Sequence, residues 1–170
     1  MAPQPLHRDP GLIPLSHQHQ HGLALTVFID RGLKAEPTRE KALELADKVA
    51  RLAEVELLGH FRVEEEVLFP AVRPFLRSGA LLDSLIAEHR VMEDLVRRIA
   101  GATDEERIPL LRRFAEVLHG HIRTEERQLF EEIQGQLDAS QLAAVGREIA
   151  AKVEAVCPLA GKPSSRERKP

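Results

Sequence analysis

HFRVEEEVLF, residues 60–69, and HIRTEERQLF, residues 121–130, are one segment written twice, agreeing at His, Arg, two consecutive Glu, Leu and Phe. Each contains HxxxE: His60 with Glu64, and His121 with Glu125. Residues four apart share one helix face, with Cβ atoms about 5–6 Å apart, so each segment aims an imidazole and a carboxylate at a common point. Two such helices facing each other gather two of each group in one small volume. Carboxylates can bridge two metal ions and imidazoles can terminate them. Burying two carboxylates in an apolar bundle without a cation is very costly, and a bound metal removes that cost.

A single HxxxE is more often a solvated pair on a helix surface. Here the flanking register argues otherwise. Ala53, Leu57, His60, Glu64, Val67 and Leu68 follow one apolar stripe, and Leu111, Phe114, Leu118, His121, Glu125 and Leu129 follow another. By the same reading Glu65, Glu66, Glu126 and Glu131 fall on solvated surface, and His7 and His119 lie off the stripes.

Outward from the two segments, the apolar spacing predicts five helices. The first runs from about Ser16, a plausible N-cap, to Leu33. The second runs from about Thr38 to Phe69, where Pro70 disfavours further helix. The third spans about Ala80 to Ala100, with Gly101 at its end, along the row Leu82, Leu85, His89, Met92, Val96, Ile99. The fourth spans about Glu105 to Gln134, with Pro109 tolerable only near its first turn. Asp138 and Gln141 resemble a capping box that opens a fifth, shorter helix to about Val156. No stretch alternates with period two for long enough to be a strand. Short connections make consecutive helices antiparallel. The expected fold is therefore all-α: an antiparallel up-down four-helix bundle with a short extra C-terminal helix. Residues 15–156 form the bundle, residues 1–14, with Pro3, Pro5, Pro10 and Pro14, an extended arm, and residues 157–170 a polar, basic, disordered tail.

The first and third helices each add a histidine near the buried seam, His19 and His89. The tract His17, Gln18, His19, Gln20, His21 is ambiguous: His17 and His21 share one face and His19 points away from both. His19 is preferred because Leu15, Gly22, Thr26 and Ile29 continue its stripe. The chain thus reads as two copies of a helix pair, each supplying His and then HxxxE, with a pseudo-two-fold site on the bundle axis.

Composition sets the outer bounds. At 170 residues, with 43% hydrophobic and 30% charged residues, the chain suits one globular domain able to bury a core without staples. A formal net charge of −3 gives no reason to expect nucleic acid as a partner. Cys157 is the single cysteine, so no internal disulfide can form and a reducing compartment, the cytoplasm, is expected. The opening residues lack the basic start and apolar run of a signal peptide, and no run of about 18 apolar residues suggests a membrane span. Tyr and Trp are both absent, which excludes a radical stored on either.

The order His, HxxxE, His, HxxxE resembles the hemerythrin-like, or HHE cation-binding, domain. The segments LSHQHQHGLAL, HFRVEEEVLFP, IAEHRVMEDL and HIRTEERQLF carry the resemblance, over roughly Leu15 to Gln134. It implies two iron ions joined by two carboxylates and an oxo or hydroxo bridge. His19, His60, His89 and His121 would be terminal ligands, and Glu64 and Glu125 the bridging carboxylates. Oxygen-carrying members place a second His four residues after the helix-three His; here Glu93 stands there, expected as a ligand or a close neighbour of one, the rival reading being a surface ion pair with Arg97. The implied function is binding or sensing of oxygen or a related small molecule. The alternatives are a di-iron enzyme that turns over peroxide or oxidises iron, and a structural bundle holding zinc or mixed metals, with manganese also suited to the donors. More His than carboxylate argues against ferroxidase storage.

Overall fold

The computed structural model describes residues 7–156, and among these it contains helices and no strand. Helix α1 is Ile13–Ala35. Helix α2 covers residues 39–72 and continues into a 3-10 turn, Arg73–Phe75. Helix α3 is Ala80–Gly101, α4 covers residues 104–136, and α5 is Ala139–Val156. The expected tail, Cys157 and the first six residues of the expected arm lie outside the described residues.

The core explains the topology. One apolar cluster joins Leu25, Ile29 and Leu33 of α1 to Leu45 and Val49 of α2, Met92 and Ile99 of α3, and Leu111 and Phe114 of α4. The other joins Leu12 and Leu15, beside and within the start of α1, to Leu68 and Phe69, Leu82 and Leu85, and Leu129 and Phe130. The late part of α1 and α3 therefore meets the early part of α2 and α4, and the reverse at the other end, as antiparallel up-down helices require. Helix α5 lies against α2 around residues 58–68 and closes the second cluster with Leu142, Val145 and Ile149.

Local chemistry sets most of the ends. Thr38 caps α2 by accepting from the Lys41 N–H at 3.2 Å. Thr103 and Glu106 form a capping box on α4, and Asp138 and Gln141 form the expected one on α5, with reciprocal bonds of 2.9 and 2.8 Å. Helix α1 starts before Ser16: Pro14 sits in its first turn, where a missing N–H costs nothing. Gly101 is the last residue of α3, but no described residue has positive φ, so it is not a left-handed cap. Pro109 lies inside α4, past its first turn.

Pro70 does not stop α2. A π-helical turn, Glu64–Leu68, ends just before it, so Pro70 falls at the start of the resumed α segment Phe69–Val72. Its absent N–H is tolerated there as it is at a helix start. From His7 on, the expected arm packs on the bundle: Gln134 donates to the His7 carbonyl at 3.1 Å, the Asp9 N–H donates to the Gln134 side-chain oxygen at 2.7 Å, and Leu12 is buried. Gly11 meets Gly146 of α5 so closely that a Cβ on Gly146 would stand 2.5 Å from the Gly11 Cα.

Candidate metal centre

Between the two apolar clusters each of the first four helices turns a polar residue inward. His19, His60, Glu64, His89, His121 and Glu125 are all buried, and both glutamates are 0% exposed. The duplicated segment is duplicated in structure as well: Glu64 and Glu125 each open a π turn, Glu64–Leu68 and Glu125–Leu129. Such turns recur at functional sites because they re-aim the side chains that follow without breaking the helix. After each turn the stripe resumes with Leu68 and Phe69, or Leu129 and Phe130, back in the core.

The ligand-type atoms converge in two groups that share both glutamates. His19, His60, Glu64 and Glu125 form one, and Glu64, His89, His121 and Glu125 the other, with the chosen atoms of each group within 4.8 Å of one another. His19 Nε2 lies 3.0 Å from His60 Nε2, and His89 Nε2 lies 3.2 Å from His121 Nε2. Glu64 spans the pairs: Oε1 is 3.0 Å from His60 Nε2, and Oε2 is 3.2 Å from His89 Nε2. Glu125 Oε2 lies 3.1 Å from His19 Nε2 and 3.3 Å from His121 Nε2.

The outward-facing nitrogens set the state of the rings. His19 Nδ1 meets Glu126 at 2.6 Å, His89 Nδ1 meets Glu65 at 2.8 Å, His121 Nδ1 meets Glu88 at 2.8 Å, and His60 Nδ1 meets Oε1 of the Gln18 side-chain amide at 2.8 Å. Each partner is an acceptor, so each Nδ1 carries the hydrogen and each Nε2 lone pair points inward. All four carboxylate oxygens of Glu64 and Glu125 are buried without a hydrogen-bond partner. Lone pairs therefore face lone pairs around two points, which is what a pair of cations resolves. The donor set fits metal.

Without a cation, protons take up part of this charge. Burial disfavours a charged His19, but the carboxylates of Glu125, Glu126 and Glu64 outweigh it and raise the imidazole well above its ordinary value. His89 is raised in the same way: Glu64 outweighs burial. Burial would raise Glu64, but the charge on His60 and contacts with His19, His60 and His89 hold it well below the usual carboxylate range.

Two expectations about carboxylates need correction. Glu65 and Glu126 are not simply solvated surface: they back His89 and His19 from outside. The signal was present, since both copies of the repeat carry Glu-Glu, the first facing inward and the second reaching the lone histidine of the other helix pair. Glu66 and Glu131 are exposed as expected, pairing with Lys152 and Arg8. Glu93 stays outside the inward-facing groups. Its carboxylate pairs with Arg90 at 2.9 Å, not with Arg97, and Arg90 also pairs with Glu65. One arginine between two carboxylates holds Glu93 on the outer face of α3. His17 is exposed, and His21, 61% exposed at its side chain, bonds Glu56 at 3.0 Å, so the histidine tract sends only His19 inward.

Arg8 closes the outer wall. It donates to the Glu126 carboxylate at 2.6 Å and to its carbonyl at 2.9 Å, and its guanidinium lies 5.1 Å from the Phe130 ring centroid. Burial would raise Glu126, but hydrogen bonds from His19 and Ser16 and the charges of His19 and Arg8 bring it down to about 2. A depressed carboxylate adds stability that is present above its ordinary value and lost as pH falls toward the folded value. Arg8→Ala should therefore destabilise the fold by about 1–3 kcal/mol at pH 7, and by less only as pH falls to about 2, read from denaturant melts. A loss that stays the same down to about pH 2 would show that Arg8 acts by packing alone.

An antiparallel helical bundle with a buried, pseudo-symmetric His and Glu cluster defines a class of protein that holds cations in its interior. The family model of the hemerythrin HHE cation-binding domain matches residues 14–133, most of the chain, and the chain belongs to that family. No curated protein and no solved structure matches it. Among the described residues, no helix is long and apolar enough to cross a membrane.

Proposed function

We propose that this is a non-haem di-iron protein that binds or senses dioxygen or a related small molecule such as peroxide or nitric oxide. The observation that carries the reading is the pair of four-atom groups sharing Glu64 and Glu125. His19 and His60 would hold one iron and His89 and His121 the other, and Glu64 and Glu125 would serve both. Two bound irons would supply reversible one-electron chemistry and an exchangeable coordination position. The chain's own part is to present four neutral Nε2 donors, fix their tautomers through Nδ1, and keep bulk water out with Phe61, Phe69 and Phe130. Phe61 stacks on His89 at 4.0 Å, and Phe130 on His19 at 5.5 Å. Iron that cycles through its ferrous state, together with a single cysteine, suits a reducing compartment such as the cytoplasm.

Protein purified in air should carry about two irons per chain and show near-ultraviolet charge-transfer absorption. The chain has neither Tyr nor Trp, so that region is clear of their bands. Elemental analysis checks the first point and an absorption spectrum the second. Native protein holding zinc or manganese and no iron would overturn the oxygen chemistry and leave a structural metal bundle.

A further inference from the structure

The backing of the four histidines obeys the pseudo-two-fold relation with one exception. Glu126, next to Glu125, backs His19, and Glu65, next to Glu64, backs His89. Glu88, just before His89, backs His121. The equivalent position, just before His19, is Gln18, and it backs His60. Three imidazoles thus donate to a carboxylate and one to a neutral amide.

That amide has a second end. His60 Nε2 faces the ligand group, so Nδ1 carries the hydrogen, the Gln18 amide oxygen at 2.8 Å accepts it, and the amide nitrogen turns away. Gln18 is only 7% exposed, and its Nε2 is buried without a hydrogen-bond partner. Its side chain lines a small cavity of ≈ 10 Å³, together with His19, His60, Glu56 and Gly22. That is room for about one water-sized species. The cavity touches His19, His60 and His121 but not His89, so it lies on the His19–His60 side of the cluster.

Resting on the di-metal reading above, we infer that Gln18 makes the two metal positions unequal and is a hydrogen-bond donor for a small anionic ligand of the azide or hydroperoxide class at the His19–His60 position. A carboxylate behind an imidazole strengthens its donation to a metal, and a neutral amide does so less. The His19–His60 position therefore binds metal more weakly and stays the more electron-poor of the two. A weakly donated, electron-poor metal takes an added anion, and the free Gln18 N–H stabilises that anion through a charge-assisted hydrogen bond. A glutamate at position 18 would complete the symmetry and remove the donor. Gln18 acts through His60 and on the incoming ligand, and so positions both.

The two roles are separable. Ferrous iron binding is measured by anaerobic equilibrium dialysis, and azide binding by absorption titration of the iron-loaded, air-oxidised protein. Wild type should bind iron in two steps. Gln18→Glu should tighten the weaker step by about tenfold or more and weaken azide binding by about tenfold. A residue that only packs would move both in the same direction. Gln18→Met keeps the volume and removes both functions. It should weaken the weaker iron step while sparing the tighter one, and if Gln18→Glu does not fold it tests the backing of His60 by that split, an unchanged weaker step or an equal loss at both steps overturning the role of Gln18. Two irons in wild type with both constants unchanged in the variants, or moved together in Gln18→Glu, would overturn the role of Gln18. Fewer than two irons in wild type would overturn the di-metal reading itself.

Discussion

Glu64→Gln should strip the protein of both metal ions at once, taking its content from about two per chain to below one. Glu64 is the side chain whose two oxygens face different histidine pairs, Oε1 toward His60 at 3.0 Å and His19 at 3.7 Å, and Oε2 toward His89 at 3.2 Å. An amide in its place keeps the volume but loses the charge, and its –NH2 end presents hydrogens to one pair. The remaining oxygen is a weak neutral donor for the other. Coordination at both positions then loses an anionic donor, and the second metal loses the charge that offsets repulsion from the first. His89→Ala, by contrast, removes a donor from one group only and should leave about one ion. His17→Ala, on the exposed face of α1, should leave both. Helical circular dichroism should persist in Glu64→Gln, because a buried neutral amide costs less than a buried carboxylate. Elemental analysis of the folded variant decides the matter: a full complement of metal in Glu64→Gln would show that Glu64 does not bridge.

The repeat made the inner ring of this site legible. His60 with Glu64 and His121 with Glu125 needed only helix periodicity and two matching stripes, and His19 was separated from His17 and His21 by the same stripe argument. The third helix was legible to within a residue, because its Leu and Ile spacing is regular and Gly101 follows. What the sequence hid has physical causes. Pro70 looked like a terminator because a π turn leaves no compositional mark. The same residues, EEEVL or EERQL, read as ordinary α-helix, and only the broken ladder shows why proline fits after them. Glu65 and Glu126 looked solvated because each was read along its own helix, whereas the Glu-Glu common to both copies marks them and the histidines they meet arrive from other helices. Glu93 looked like a ligand because its spacing from His89 is right for one. Arg90, three residues before Glu93 and beside Glu65, neutralises both carboxylates on the outside, and a single-helix argument does not register that competition.

Removing metal should lower the melting temperature, and the loss should grow as pH rises. In the metal-free chain protons on His19 and His89, paired with carboxylates, help to hold the cluster. His19 and His89 are both raised above the ordinary imidazole value of 6.5. A raised group contributes stability that is fully present below its ordinary value and is lost as pH climbs through the folded value. Glu64 is held below its ordinary 4.5, so its contribution is present above that value and is lost as pH falls. The metal-free fold is therefore best served by mildly acid solution. At alkaline pH His19 and His89 turn neutral, and the buried Glu64 loses the charge that their imidazoles supplied. Metal reverses the trend, since ligation needs the imidazoles deprotonated and strengthens as protons leave. Binding to the native state alone adds about 2.7 kcal/mol per site at a free metal concentration of a hundred times the dissociation constant. For a domain of this size that amounts to a shift of at least about 10 °C for two sites near pH 8, shrinking toward about pH 5.5. Paired melts of loaded and chelated protein across that range, with metal loss verified, supply the test. A difference that stays flat or narrows with rising pH would mean that protons and metal do not compete for these six side chains.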